Sequence, residues 1–166
     1  CSSSSTNAEC YMNYGLSGNI PTEIGNVTEL KILSLKSNSL DGILPSEIGN
    51  LSHLEELSLS SNNMSGKIPK EIGNLSSLQI LALKGNNFSG ALPSEIVQLK
   101  NMRWMYLSSN QFSGTIPNGL GEMIELTYLN LSNNQFSSTI PTSFGNLSKL
   151  QYLNLAQNQL TGHIPR

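Results

Sequence analysis

The chain of 166 residues carries a formal net charge of −2, with 12% of its residues charged and 37% hydrophobic. That balance gives no electrostatic case for nucleic acid or an anionic membrane surface, and no apolar run approaches the roughly 20 residues of a membrane-spanning helix. A single aspartate, Asp41, and two histidines, His53 and His163, leave little material for catalysis or for a metal site.

In chain order, residues 1–13 read CSSSSTNAECYMN and lack the leucines that follow. On the register of the later copies, Thr6, Glu9 and Tyr11 stand where Leu30, Leu33 and Leu35 stand one repeat on. From residue 14 the chain is ruled in steps of 24: proline at Pro21, Pro45, Pro69, Pro93, Pro117, Pro141 and Pro165, and asparagine at Asn38, Asn62, Asn86, Asn110, Asn134 and Asn158. A fixed period of this size means one supersecondary unit stacked on copies of itself. Residues 14–166 are therefore a solenoid of about six to seven repeats, with one core drawn out as a line.

The unit is LxxLxxLxLxxNxxSGxIPxxIGN, as in LSHLEELSLSSNNMSGKIPKEIGN from Leu51 to Asn74. Alternation around LxL predicts a short strand with one buried face. The asparagine stands apart from that alternation, and a buried amide there can bond backbone groups of neighbouring coils through its donor and its acceptor ends. Phe88, Phe112 and Phe136 share a position with Leu40 and Met64, which predicts core packing. Glycine ahead of the IP pair, at Gly18, Gly42, Gly66, Gly90, Gly114 and Gly162, allows a left-handed bend, and the proline then removes a backbone donor.

The LxxLxLxxN core followed by LSGxIP resembles the plant-specific class of leucine-rich repeats, from about Tyr14 to the last residue. The resemblance implies an α/β-type leucine-rich-repeat solenoid, curved and superhelical, with the LxL strands in a concave parallel sheet, short strands on a flank and little helix. Tyr14 in place of the ladder asparagine, Ser138 in place of the bend glycine and Val97 in place of the GN glycine depart from the pattern. Such proteins begin with a capping segment that contains a cysteine pair, so residues 1–13 read as a degenerate cap remnant. Cys1 and Cys10 are then its candidate pair, with free thiols or pairing outside this chain as the open alternatives. The start at Cys1 and the stop after Ile-Pro-Arg read as a processed or trimmed piece of a longer gene.

Seven NxS/T sequons, at Asn26, Asn50, Asn63, Asn74, Asn87, Asn130 and Asn146, point to the secretory pathway and an extracellular or cell-surface location. The repeat consensus generates many of them, since GNLS and NNxS create a sequon wherever serine follows. Asn26, Asn50, Asn74 and Asn146 share one repeat position, and Gln98 and Glu122 interrupt that row.

No HExxH, GxSxG or phosphate-binding glycine loop occurs, and no Ser–His–Asp or paired-carboxylate set aligns across coils, so the chain reads as no enzyme, with no cofactor and no metal. His53 falls on a solvated edge, and Glu55 with Glu56 read as a solvated patch. Binding is the better case. The variable positions flanking each LxL come into register every 24 residues, and one column reads Ile32, Glu56, Ile80, Trp104, Tyr128, Tyr152. Tyr106, Asn130 and Asn154 form the next column, and Lys84 and Arg103 supply cations. Aromatic residues and arginine dominate binding hot spots. The ordinary alternative is that LTYLNL and LQYLNL are repeat consensus, with each tyrosine packed sideways on its neighbour.

The resemblance implies non-catalytic recognition by the ectodomain of a plant receptor-like kinase or receptor-like protein. Its partners would be a peptide or other small ligand, or a co-receptor ectodomain. Some peptide receptors of this kind hold a peptide carboxylate with an RxR pair, which this chain lacks. One alternative is a secreted inhibitor similar to the polygalacturonase inhibitors. A more remote one is ice binding through the Ser60, Ser108 and Ser132 column, which Lys36, Lys84 and Ala156 interrupt.

Overall fold

The computed structural model describes residues 15–164 and the backbone of Ala8–Glu9. Each LxL segment is a three-residue strand: Ile32–Ser34, Glu56–Ser58, Ile80–Ala82, Trp104–Tyr106, Tyr128–Asn130 and Tyr152–Asn154. With Ala8–Glu9 they make a seven-stranded parallel sheet in chain order among the described residues. The middle residue of the triplet enters the core, so Leu33, Leu57, Leu81, Met105 and Leu129 are buried while their neighbours face the concave side. Registration is one full repeat per coil, with Ile32 level with Glu56, then Ile80, Trp104, Tyr128 and Tyr152.

The first strand departs from the register that repeat counting gives it. Ala8, not Glu9, lies level with Leu33, and Glu9 lies level with Ser34. The slip is one residue from the 24-residue step that holds between all the later strands of this sheet. Cys1, Cys10 and Tyr14 lie outside the described residues, so the cysteine pairing does too.

The asparagine ladder follows each strand. Asn62 Oδ1 accepts the Leu40 N–H at 3.0 Å, while its Nδ2 donates to Leu35 O and Leu59 O, both at 3.0 Å. Asn86, Asn110, Asn134 and Asn158 make the same set, so one amide ties each coil to the one before it. The residue just ahead of each ladder asparagine has positive φ, and in all but Gly85 it is not glycine: Ser37 58°, Ser61 58°, Ser109 57°, Asn133 55° and Gln157 54°. Backbone bonds between coils over-determine this bend, as in Ser61 N–H to Lys84 O at 2.8 Å.

A second set of strands runs along the flank, from Ser65–Gly66 through Asn87–Gly90, Gln111–Thr115 and Gln135–Ser138 to Gln159–Leu160. Ser17–Gly18 and Ser39–Leu40 continue it as a pair, linked by a bridge between Ile43 and Ser65. These are the short flank strands that the resemblance implies, and each ends ahead of the IP pair. Their register is staggered, Phe112 lying level with Gly90 and Gly114 with Phe136. Beneath them Phe88, Phe112 and Phe136 are fully buried, with consecutive ring centroids 6.2 Å apart and near-parallel planes. Ser138 takes the glycine conformation at φ 71°, in a region where a side chain is strained.

On the remaining side, a 3-10 helix follows each proline: Thr22–Asn26, Ser46–Asn50, Lys70–Asn74, Ser94–Gln98, Asn118–Glu122 and Thr142–Asn146. In the last coil the core columns meet solvent: Leu153 is 43% exposed and Ile164 83%. With Ile140, Phe144 and Leu155 they line an apolar notch of about 350 Å³.

Candidate functional site

The concave sheet brings Trp104, Tyr128 and Tyr152 into one column and Tyr106, Asn130 and Asn154 into the next. Their side chains sit on the outward face because the intervening Met105 and Leu129 are core, while Leu153 takes that position in the last coil at 43% exposure. The rings do pack sideways. Tyr128 and Tyr152 lie parallel with centroids 4.2 Å apart, and Tyr106 leans onto Tyr128 at 4.6 Å, so the stack runs diagonally across the two columns. Trp104 is the strand neighbour of Tyr128 but is outside that stack among the described ring contacts. The groove is thus lined by phenol edges and one half-buried indole.

Polar groups fix the rings. Asn154 Nδ2 donates to Tyr152 Oη at 3.3 Å, and Asn154 Oδ1 accepts the Ala156 N–H at 3.0 Å. One coil earlier, Asn130 Oδ1 accepts from the Ser132 N–H at 3.0 Å and from Ser132 Oγ at 2.7 Å. Burial pushes the Tyr128 phenol up from its ordinary pKa, opposed by a hydrogen bond with Asn130 and reinforced by the Tyr152 hydroxyl. The Tyr128 phenol is therefore uncharged at neutral pH, and the stack is an amphipathic surface with apolar bodies and polar tips.

Arg103 and Lys84 are exposed at the margins of this surface. The Arg103 carbonyl anchors the next strand, accepting from the Thr127 and Tyr128 N–H groups at 2.9 and 3.0 Å. Lys84 stands in the serine column, where Ser108 and Ser132 prove buried. His53 is exposed, as expected, with Nδ1 3.2 Å from Thr28 O.

Glu55 and Glu56 do not form the single solvated patch that their adjacency suggests. Glu55 pairs with Lys31 at 3.5 Å, while Glu56 is half-buried between Ile32 and Ile80. Glu56 thus holds the column position that repeat counting gives it, level with Ile32 and Ile80, and Glu55 stays outside that column.

The flank asparagines Asn26, Asn50, Asn74 and Asn146 each end a 3-10 helix and are exposed, as are Asn63 and Asn87 beside the second sheet. At Gln98 and Glu122 the row is interrupted, and Lys100 pairs with Glu122 at 3.1 Å. Asn130 differs from all of these, being half-buried with its amide engaged. Passed through a plant secretory pathway, the chain is expected to carry fuller glycosylation at Asn26, Asn50, Asn74 and Asn146 than at Asn130. Site-by-site glycopeptide mass spectrometry reads this, and high occupancy at Asn130 would fill the groove with sugar and rule out the tyrosine stack as a contact surface.

A model of the leucine-rich repeat region matches residues 30–164. The chain belongs to the leucine-rich-repeat family. Its plant receptor branch is identified by the ectodomain of the receptor kinase SOBIR1 from Arabidopsis thaliana, to which this leucine-rich-repeat chain is 36% identical with a TM-score of 0.75, covering 78% of this chain and 72% of that one. The plant peptide hormone receptor RGFR1, solved in complex with RGF2, is 43% identical over 90% of this chain, with a TM-score of 0.89. The Arabidopsis receptor kinase HAESA, solved with the peptide hormone IDA and the co-receptor SERK1, is 40% identical over 90% of this chain, with a TM-score of 0.87. The leucine-rich-repeat chain spans 24% of the RGFR1 chain and 25% of the HAESA chain, about a quarter of their length. A comparison with curated proteins finds no match. Among the described residues no helix is long and apolar enough to cross a membrane.

Proposed function

We propose that this chain is a non-catalytic recognition module of an extracellular plant receptor, and that it binds a peptide or a partner ectodomain on its concave sheet. The observation that carries this reading is the Tyr106–Tyr128–Tyr152 stack with Trp104 beside it, a pre-ordered aromatic surface on a face the solenoid leaves open. Rigid rings cost little entropy to immobilise, so they give affinity without reorganisation. Relatives solved with peptide hormones support the ligand class, and the exposed flank sequons support the extracellular setting.

Pull-down of secreted peptides and short co-receptor ectodomains, followed by titration, tests it. Trp104→Ala combined with Tyr128→Ala is expected to weaken binding by more than about 2 kcal/mol, roughly 30-fold, as loss of buried aromatic anchors does. Lys67→Ala, on the opposite side of the coil, is expected to leave affinity unchanged. Full binding by the double variant would move the interface to the flank beside Gln98 and Glu122.

A further inference from the structure

The aromatic column continues toward the N-terminal coils in a different chemical character. Level with Trp104, one strand earlier, is Ile80, then Glu56, then Ile32. Ile32, Glu55, Glu56, Gln79 and Ile80 line a concave pocket of about 110 Å³, enough for the end of an aliphatic side chain. Lys31 neutralises Glu55 at 3.5 Å, but the Glu56 carboxylate has no ion pair or side-chain hydrogen bond among the described residues. A half-buried, unpaired carboxylate walled by two isoleucines complements a cation on an apolar stem, since the stem covers the isoleucines while the charge meets the acid.

Spacing then fixes the rest of the ligand. Strands in the sheet lie about 4.8 Å apart, which puts Glu56 roughly 10 Å from Trp104 and roughly 14 Å from Tyr128 along the column. An extended peptide rises about 3.3 Å per residue, so these are the reaches of about three and four residues. Resting on the concave-face reading above, we infer that the ligand is an extended peptide with a lysine or arginine seated at Glu56. An apolar or aromatic residue three to four positions away lies over the Trp104–Tyr128 edge.

The test uses the whole chain and two acetylated, amidated peptides, Lys-Ala-Ala-Ala-Phe and its counterpart with norleucine for lysine, titrated by calorimetry at low salt. The lysine peptide is expected to bind about tenfold tighter, as a charge-assisted contact in a partly dry site gives. Glu56→Gln is expected to abolish that preference while leaving the norleucine peptide's affinity unchanged. Equal affinities for the two peptides, a preference that survives Glu56→Gln, or no binding of the lysine peptide at millimolar concentration each overturns the inference. Loss of both peptides with Trp104→Ala and Tyr128→Ala, alongside no effect of Glu56→Gln, would refute the basic-residue assignment and leave the concave-face reading standing.

Discussion

Phe112→Ala is expected to lower the unfolding free energy by about 4 kcal/mol, within the range for deleting a buried aromatic side chain. Phe112 is fully buried, with Phe88 on one side and Phe136 on the other, both at 6.2 Å between centroids. Its removal uncovers a face of each neighbour, and the backbone cannot close the gap because Phe112 N–H is fixed to Asn134 Oδ1 at 3.0 Å. In a solenoid each coil is supported mainly by its neighbours, so a defect here also weakens the coupling between the two halves of the stack. Leu160→Ala, at the same repeat position but only partly buried, is expected to cost about 1 kcal/mol. Urea melts of the two variants measure the contrast, and a loss below about 2 kcal/mol for Phe112→Ala would show that the aromatic column is not a close-packed core.

The second large effect is expected from a single added methyl group. A Cβ built on Gly49 would lie 2.6 Å from Glu71 O and 2.7 Å from Glu71 Cβ in the next coil, so Gly49→Ala must push two 3-10 helices apart. We expect it to cost about 3 kcal/mol, at the upper end for overpacking, because the obstacle is backbone and has no rotamer to give. Gly145→Ala at the equivalent position of the sixth helix is expected to change stability by less than about 0.5 kcal/mol, since nothing lies within 4 Å of its Cβ. Thermal or urea unfolding of the 166-residue chain separates the two, and equal effects would refute a steric role for the glycine.

The same contact explains a departure from the repeat. Val97 occupies the position of Gly49 and Gly73, and its Cγ1 lies 2.8 Å from where a Cβ on Gly119 would be. Gly119 stands where the neighbouring coils have Glu47, Glu71 and Glu95, so side chain and glycine have exchanged coils and the clearance is kept. Ser138 has no such exchange. It adopts the left-handed bend at φ 71° with a Cβ in place.

Periodicity alone determined the architecture of this protein. A 24-residue ruler with LxL and asparagine at fixed offsets specified the stacked strands, the amide ladder, the phenylalanine core and the glycine bends, because a repeated unit must solve the same burial and hydrogen-bonding problem in every coil. It also specified which residues share a concave column, since strand neighbours are one period apart. Three things were decided only in three dimensions. The first strand slips by one residue, because it belongs to a segment without the leucines that hold the others in register. The glycines at Gly25, Gly49, Gly73 and Gly121 are required by the close approach of the next coil's backbone, a distance that no single repeat contains. The character of the groove depends on ring orientation and on which carboxylate finds a cation: Tyr128 and Tyr152 stack with 2° between their planes, and Lys31 reaches Glu55 and not Glu56. Those outcomes come from side-chain packing between coils, where rotamer choice and distances of a few ångströms select among arrangements that the same sequence column permits equally.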